Sequence, residues 1–156
     1  VSAGDNHSLA LAADGAVWSW GTGKLGHGDT QTQTQPLPKK VEAFAGQRVV
    51  AVSAGWAHIL AITADGAVWS WGDGLQGKLG HGDQQRQLLP KKIEAFAGQR
   101  VVAVSAAASH SLAVTADGAV WSWGNGVYGR LFGGWGKLGH GDTQTQTQPL
   151  PKKVEA

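Results

Sequence analysis

Ala64-Asp65-Gly66-Ala67-Val68-Trp69-Ser70-Trp71-Gly72 is the stretch on which the fold turns. Asp-Gly between two apolar runs is a strong hairpin signal, because a tight turn needs positive φ and glycine adopts it without strain. The run before the turn, 58–63, is apolar and partly β-branched, and reads as a strand. The run after it, 67–71, reads as the returning strand. Alternation then puts Trp69 and Trp71 on one face and Val68 and Ser70 on the other. Further upstream, Val-Val-Ala-Val-Ser-Ala at 49–54 has the look of a buried strand. Downstream, Pro90 acts as a breaker and predicts a fourth strand over 91–96. No segment carries a sustained helical period.

The same nine residues stand at 13–21 and at 116–124, offset from 64–72 by 51 and 52 positions. Phe-Ala-Gly-Gln-Arg-Val-Val-Ala-Val-Ser-Ala at 44–54 returns at 96–106, and 24–43 is identical to 137–156. Such identity fits recent duplication or deliberate consensus design. Four short strands and glycine-rich turns per period of about fifty residues describe one propeller blade. The expected architecture is therefore all-β: blades of four antiparallel strands, in one domain of three repeats framed as 1–51, 52–103 and 104–156. Both ends fall inside the period and position 1 is Val, so the frame is expected to continue beyond this chain.

The repeated positions resemble those of the regulator of chromosome condensation repeat family. They are His7, Asp14, Gly15, Trp20, Gly21 and Leu-Gly-His-Gly-Asp at 25–29; His58, Asp65, Gly66, Trp71, Gly72 and 79–83; and His110, Asp117, Gly118, Trp123, Gly124 and 138–142. The resemblance spans essentially the whole chain. It implies a β-propeller, usually of seven blades, which three repeats cannot close. An incomplete propeller, or an oligomeric ring completed by self-association, follows from that. The resemblance also implies a non-enzymatic protein-interaction scaffold, with two alternatives: nucleotide exchange on a small Ran-type GTPase, or a structural or designed array without its own activity. Gly55-Trp56-Ala57-His58 is similar to a Gly-Trp-Arg-His-Thr motif of light-sensing members, with Ala57 in place of the arginine.

Composition narrows the chemistry. The chain has no Cys, hence no disulfide framework and no thiolate ligand or nucleophile. A net charge of +2 is too small to imply direct nucleic-acid binding. No apolar run approaches a membrane helix, and no signal peptide opens the chain. The expected setting is intracellular, cytoplasmic or nuclear. No Gly-x-Ser-x-Gly elbow or phosphate-binding loop is present, so no enzyme activity and no cofactor are expected. The six histidines fall into two repeated classes, one opening the second strand and one in the Gly-His-Gly turn. Copies related by blade repetition spread along an arc, whereas a metal needs ligands at one point. They are read as structural, as are the paired tryptophans.

Where otherwise identical repeats disagree, function has room. Three places differ most: Asp5-Asn6, Trp56-Ala57 and Ala108-Ser109 before the strand-opening His; Thr22, 73–76 and 125–128 after Trp-Gly; and an insertion at 132–138 in the third copy. Tyr, Trp and Arg are favoured anchors at protein interfaces, and loops on rigid scaffolds carry binding. Trp56, Tyr128, Arg130, Phe132 and Trp135 are the candidate residues for binding a protein partner. Lysine pairs at 39–40, 91–92 and 152–153 read as solvated edge protection.

Overall fold

The structure, a computed structural model, describes residues 1–28, 33–127, 136–141 and 147–155. Each Asp-Gly hairpin forms, and with it three four-stranded antiparallel sheets. The first holds β1 (Ser2–Ala3), β2 (His7–Leu11), β3 (Val17–Gly23) and β4 (Gln33–Lys40). The second holds β5 (Val49–Ala54), β6 (His58–Thr63), β7 (Val68–Gly72) and β8 (Gln87–Lys92). The third holds β9 (Val101–Ala106), β10 (His110–Thr115), β11 (Val120–Asn125) and β12 (Thr147–Lys153). Strands pair in chain order within each sheet. The sheets are separated at 41–48 and 93–100, so the joints of the sequence frame at 51/52 and 103/104 lie inside β5 and β9.

First strands of successive blades stand side by side. The Ser2 hydroxyl accepts from the Ala54 amide at 2.9 Å, and the Ser53 hydroxyl accepts from the Ala106 amide at 2.9 Å. Two apolar cores lie between blades rather than within them. Blade one contributes Leu9, Val17, Val41 and Phe44 to the first, and blade two contributes Val49, Ile59, Ala61 and Trp71. The second joins Leu60, Ile62, Val68, Ile93 and Phe96 to Val101, Ala113 and Trp123. Alternation along β7 is what makes this possible: Trp71 faces back to blade one, while Val68 faces on to blade three. Each linking Phe inserts between a Trp pair of the next blade. Phe44 sits 5.7 and 5.8 Å from Trp69 and Trp71, and Phe96 sits 5.6 and 5.8 Å from Trp121 and Trp123. Full burial of each such ring contributes on the order of 1.5–3 kcal/mol over leaving it exposed.

The fourth strand corrects the sequence reading. It runs Gln87–Lys92 through Pro90, and Glu94–Phe96 is a short 3-10 turn rather than strand. Pro90 is tolerated because β8 is outermost, where a missing N–H breaks no ladder bond on the open side. The strand ends where the Ile93 amide donates to the Val68 carbonyl at 2.8 Å, and the turn that follows carries Phe96 inward, leaving it 3% exposed.

Candidate functional site

The two loop classes in which the copies disagree meet on one rim of each blade, and a repeated backbone bond is the reason. Thr22 N–H donates to the Asn6 carbonyl at 2.7 Å, Asp73 N–H to that of Ala57 at 2.8 Å, and Asn125 N–H to that of Ser109 at 2.9 Å. The glycine before each donor makes this approach possible. Gly21, Gly72 and Gly124 have φ of 104°, 108° and 103°, and a Cβ on them would lie 2.4–2.6 Å from those same carbonyl oxygens.

Between blades one and two, this rim opens into a cleft of about 360 Å³. Asn6, Thr22, Trp56 and Asp73 line it, all at positions where the repeats differ; Lys24 and Arg86 complete it. Trp56 is 59% exposed. Its indole Nε1–H donates to Asp5 Oδ2 at 2.8 Å, and Asn6 Nδ2 donates to the same oxygen at 2.5 Å. The ring edge is thus held while more than half of the residue stays open to solvent. Asp73 forms an ion pair with the buried Lys78 ammonium. His7 reaches the cleft from beneath, with its Nε2 buried and without a partner. Burial lowers the His7 pKa, opposed by the nearby Asp5 charge.

Of the sequence candidates, Trp56 is at this cleft. Tyr128, Arg130, Phe132 and Trp135 lie outside the described residues. Lys24 and Arg86 were not singled out from sequence. Lys24 recurs as Lys78 and Lys137 and so gave no contrast between copies. Arg86 did carry a signal: just before β8, it takes the place that Thr34 and Thr147 hold in β4 and β12, one residue before the Gln that pairs with the Trp-Gly glycine. The shorter loop of the second copy conceals that alignment in the linear sequence.

The histidines of the Gly-His-Gly turns do tie turns to strands. Ser19, Ser70 and Ser122 hydroxyls donate to the Leu25, Leu79 and Leu138 carbonyls at 2.8, 2.7 and 2.5 Å. Each hydroxyl has then used its one proton, so Nε2–H of His27, His81 and His140 donates to it, at 3.0, 2.9 and 2.8 Å. Among the described residues no group of three or more His, Asp or Glu is placed to hold a metal ion. None of the helices is long and apolar enough to cross a membrane, again among the described residues.

Two profiles described as the regulator of chromosome condensation (RCC1) repeat match the chain. One covers 14–62 and 65–114, the other 1–26, 49–78 and 101–130. The chain belongs to the RCC1 repeat family. Among RCC1-repeat relatives, it is similar to the human E3 ubiquitin-protein ligase HERC2, at 44% identity over 136 residues, covering 84% of this chain and 3% of that protein. It is 43% identical over 135 residues to the ultraviolet-B receptor UVR8 of Arabidopsis thaliana, covering 84% of this chain and 30% of the receptor. In structure it is similar to yeast RCC1 (Prp20), solved bound to Kap60, with a TM-score of 0.80 and 29% identity over 97% of this chain and 34% of that one. The chain therefore spans 3%, 30% and 34% of these three RCC1-repeat proteins, and its three sheets correspond to blades of an RCC1 β-propeller.

Proposed function

We propose that this chain is a protein-interaction scaffold without catalysis of its own, and that it binds a partner protein through the rim cleft between blades one and two, in a cytoplasmic or nuclear setting. The observation that carries this reading is Trp56: a large ring held at its edge by Asp5 yet 59% exposed, beside a cleft lined by the positions at which the blades differ. Exposed, pre-positioned aromatics are efficient anchors because little conformational freedom is lost on binding. A solved relative, yeast RCC1 (Prp20), is itself seen bound to a protein, Kap60. By sequence position, Tyr128 and Arg130 follow β11 as Asp73 follows β7, and Phe132 and Trp135 come shortly after; all four are proposed to extend the contact surface.

The test exchanges Trp56 for Ala, the residue that the third copy carries as Ala108. Trp56→Ala is expected to abolish cross-linked partner capture while leaving thermal unfolding within a few degrees of the parent. Undiminished capture rejects the cleft. A second reading, nucleotide exchange on a small GTPase, draws on the likeness to yeast RCC1 (Prp20). Nucleotide release from a Ran-type GTPase, timed with and without the chain, decides it; an unchanged rate rejects it.

A further inference from the structure

The charges around the cleft are unequally committed. Asp5 accepts two hydrogen bonds on one oxygen, from Trp56 and Asn6. Asp73 is paired with Lys78 and also accepts from the Leu75 amide at 3.4 Å. Both acids are therefore turned to neighbours within the chain. Arg86 is exposed, and its side chain has no hydrogen-bond or ion-pair partner among the described residues. Lys24 adds a second cation to the lining, and His7 beneath is held toward its neutral form by burial. The cleft thus presents, in one lining, an uncommitted guanidinium and a largely exposed indole.

A guanidinium recognises a carboxylate through two parallel N–H donors, while an indole face favours an apolar side chain. We infer that the rim cleft takes a peptide segment in which an Asp or Glu lies beside an apolar residue, the carboxylate on Arg86 and the apolar side chain on Trp56. This rests on the reading of the cleft as a protein-binding site and names the chemistry of its partner. An aromatic beside a cation also suits a nucleic-acid base next to its phosphate. The peptide is favoured because the chain carries 13 basic against 11 acidic residues and, among the described residues, a single exposed indole lines this cleft, not a charged track with successive stacking platforms.

The repeats supply variants that the fold already accommodates. Arg86→Thr installs the residue found at Thr34 and Thr147, and Trp56→Ala the one at Ala108. Lys152→Ala removes one exposed cation on the outer strand of blade three as a control. Random dodecapeptides displayed on phage are selected against each protein, and the enriched peptide is titrated by fluorescence anisotropy beside a fluorescent oligothymidylate. The parent and Lys152→Ala are expected to enrich acidic residues next to apolar ones. Arg86→Thr is expected to lose the acidic preference and weaken the selected peptide about tenfold, the scale of one charge-assisted hydrogen bond. Trp56→Ala is expected to lose selection altogether. Peptides whose selection depends on Trp56 but that lack acidic residues overturn the inference and leave the scaffold reading standing. So does acidic preference that survives Arg86→Thr. Absence of any selection dependent on Trp56 overturns both. Oligothymidylate binding that Arg86→Thr removes, without acidic peptides, assigns the cleft to nucleic acid and overturns the inference.

Discussion

The two junctions between blades are packed alike and hydrogen-bonded differently. Between blades two and three, the Ser111 hydroxyl donates to the Lys78 carbonyl at 2.9 Å, and its proton being used, it accepts from His58 Nε2–H at 2.8 Å. Trp123 Nε1–H donates to the same Lys78 carbonyl at 2.8 Å. Between blades one and two, the position of Ser111 is taken by Ile59. His7 Nε2 and Trp71 Nε1 are buried without partners at this junction, whereas the second junction leaves His58 Nδ1. The Phe–Trp contacts agree to within about 0.1 Å at both junctions. The aromatic wedge thus sets the spacing of the blades by itself. The hydrogen-bond network is an addition that the first junction lacks, and His7 of that junction also lines the cleft.

Four measurements would break or sharpen this contrast. The largest effect is expected from the wedge: Trp71→Ala and Trp123→Ala should each cost about 3–5 kcal/mol in urea unfolding. Trp123→Ala should cost about 1 kcal/mol more, because Trp71 gives up no hydrogen bond. Equal costs would mean that the network contributes nothing.

Acid comes next. Burial, with Lys78 and the other two strand-opening histidines adding to it, lowers the His58 pKa from 6.5 to about 3. The unfolded chain then binds a proton that the folded chain refuses. Stability is intact above pH 6.5 and falls as pH drops toward 3, by up to about 1.4 kcal/mol per unit. His58→Gln should flatten that part of the profile; an unchanged slope would place the acid sensitivity elsewhere.

Ser111→Ala should cost about 1–3 kcal/mol, since it strands His58 Nε2 inside the junction. A smaller change would show that His58 finds another acceptor. The smallest effect belongs to Ile59→Thr, which offers His7 the hydroxyl it lacks. The new hydrogen bond offsets the lost methyl and the methylene replaced by hydroxyl, so stability should stay within about 1–2 kcal/mol of the parent. The His7 ring Nε2–H should become protected in NMR spectra; an unprotected ring would refute the assignment of Ile59 as the cause of the orphan.

Much of this was legible in the linear chain. The hairpins follow from Asp-Gly between apolar runs, and the strands at 49–54 and 58–63 stand where their β-branched residues put them. The direction of the tryptophans followed from alternation alone. The fourth strand did not, because Pro90 reads as a breaker unless its strand is known to be outermost. The contrast between copies found Asn6, Thr22, Trp56 and Asp73 but passed over Lys24, which does not vary, and Arg86, whose strand register the shorter loop hides.

Local chemistry therefore determined the blade, since turn geometry and side-chain alternation act over a few residues and need no partner. The cleft was decided only by tertiary structure. Asn6, Trp56, and Asp73 with Arg86 come from three separate connections, β1–β2, β5–β6 and β7–β8, and they converge because positive-φ glycines fold each rim loop onto its neighbour while the buried Phe–Trp wedge sets how close the next blade can stand. The same closeness made the difference between Ser111 and Ile59 matter. A hydroxyl or an alkyl group at this position of the second strand has no consequence until its blade packs against the histidine of the blade before and seals that histidine from water.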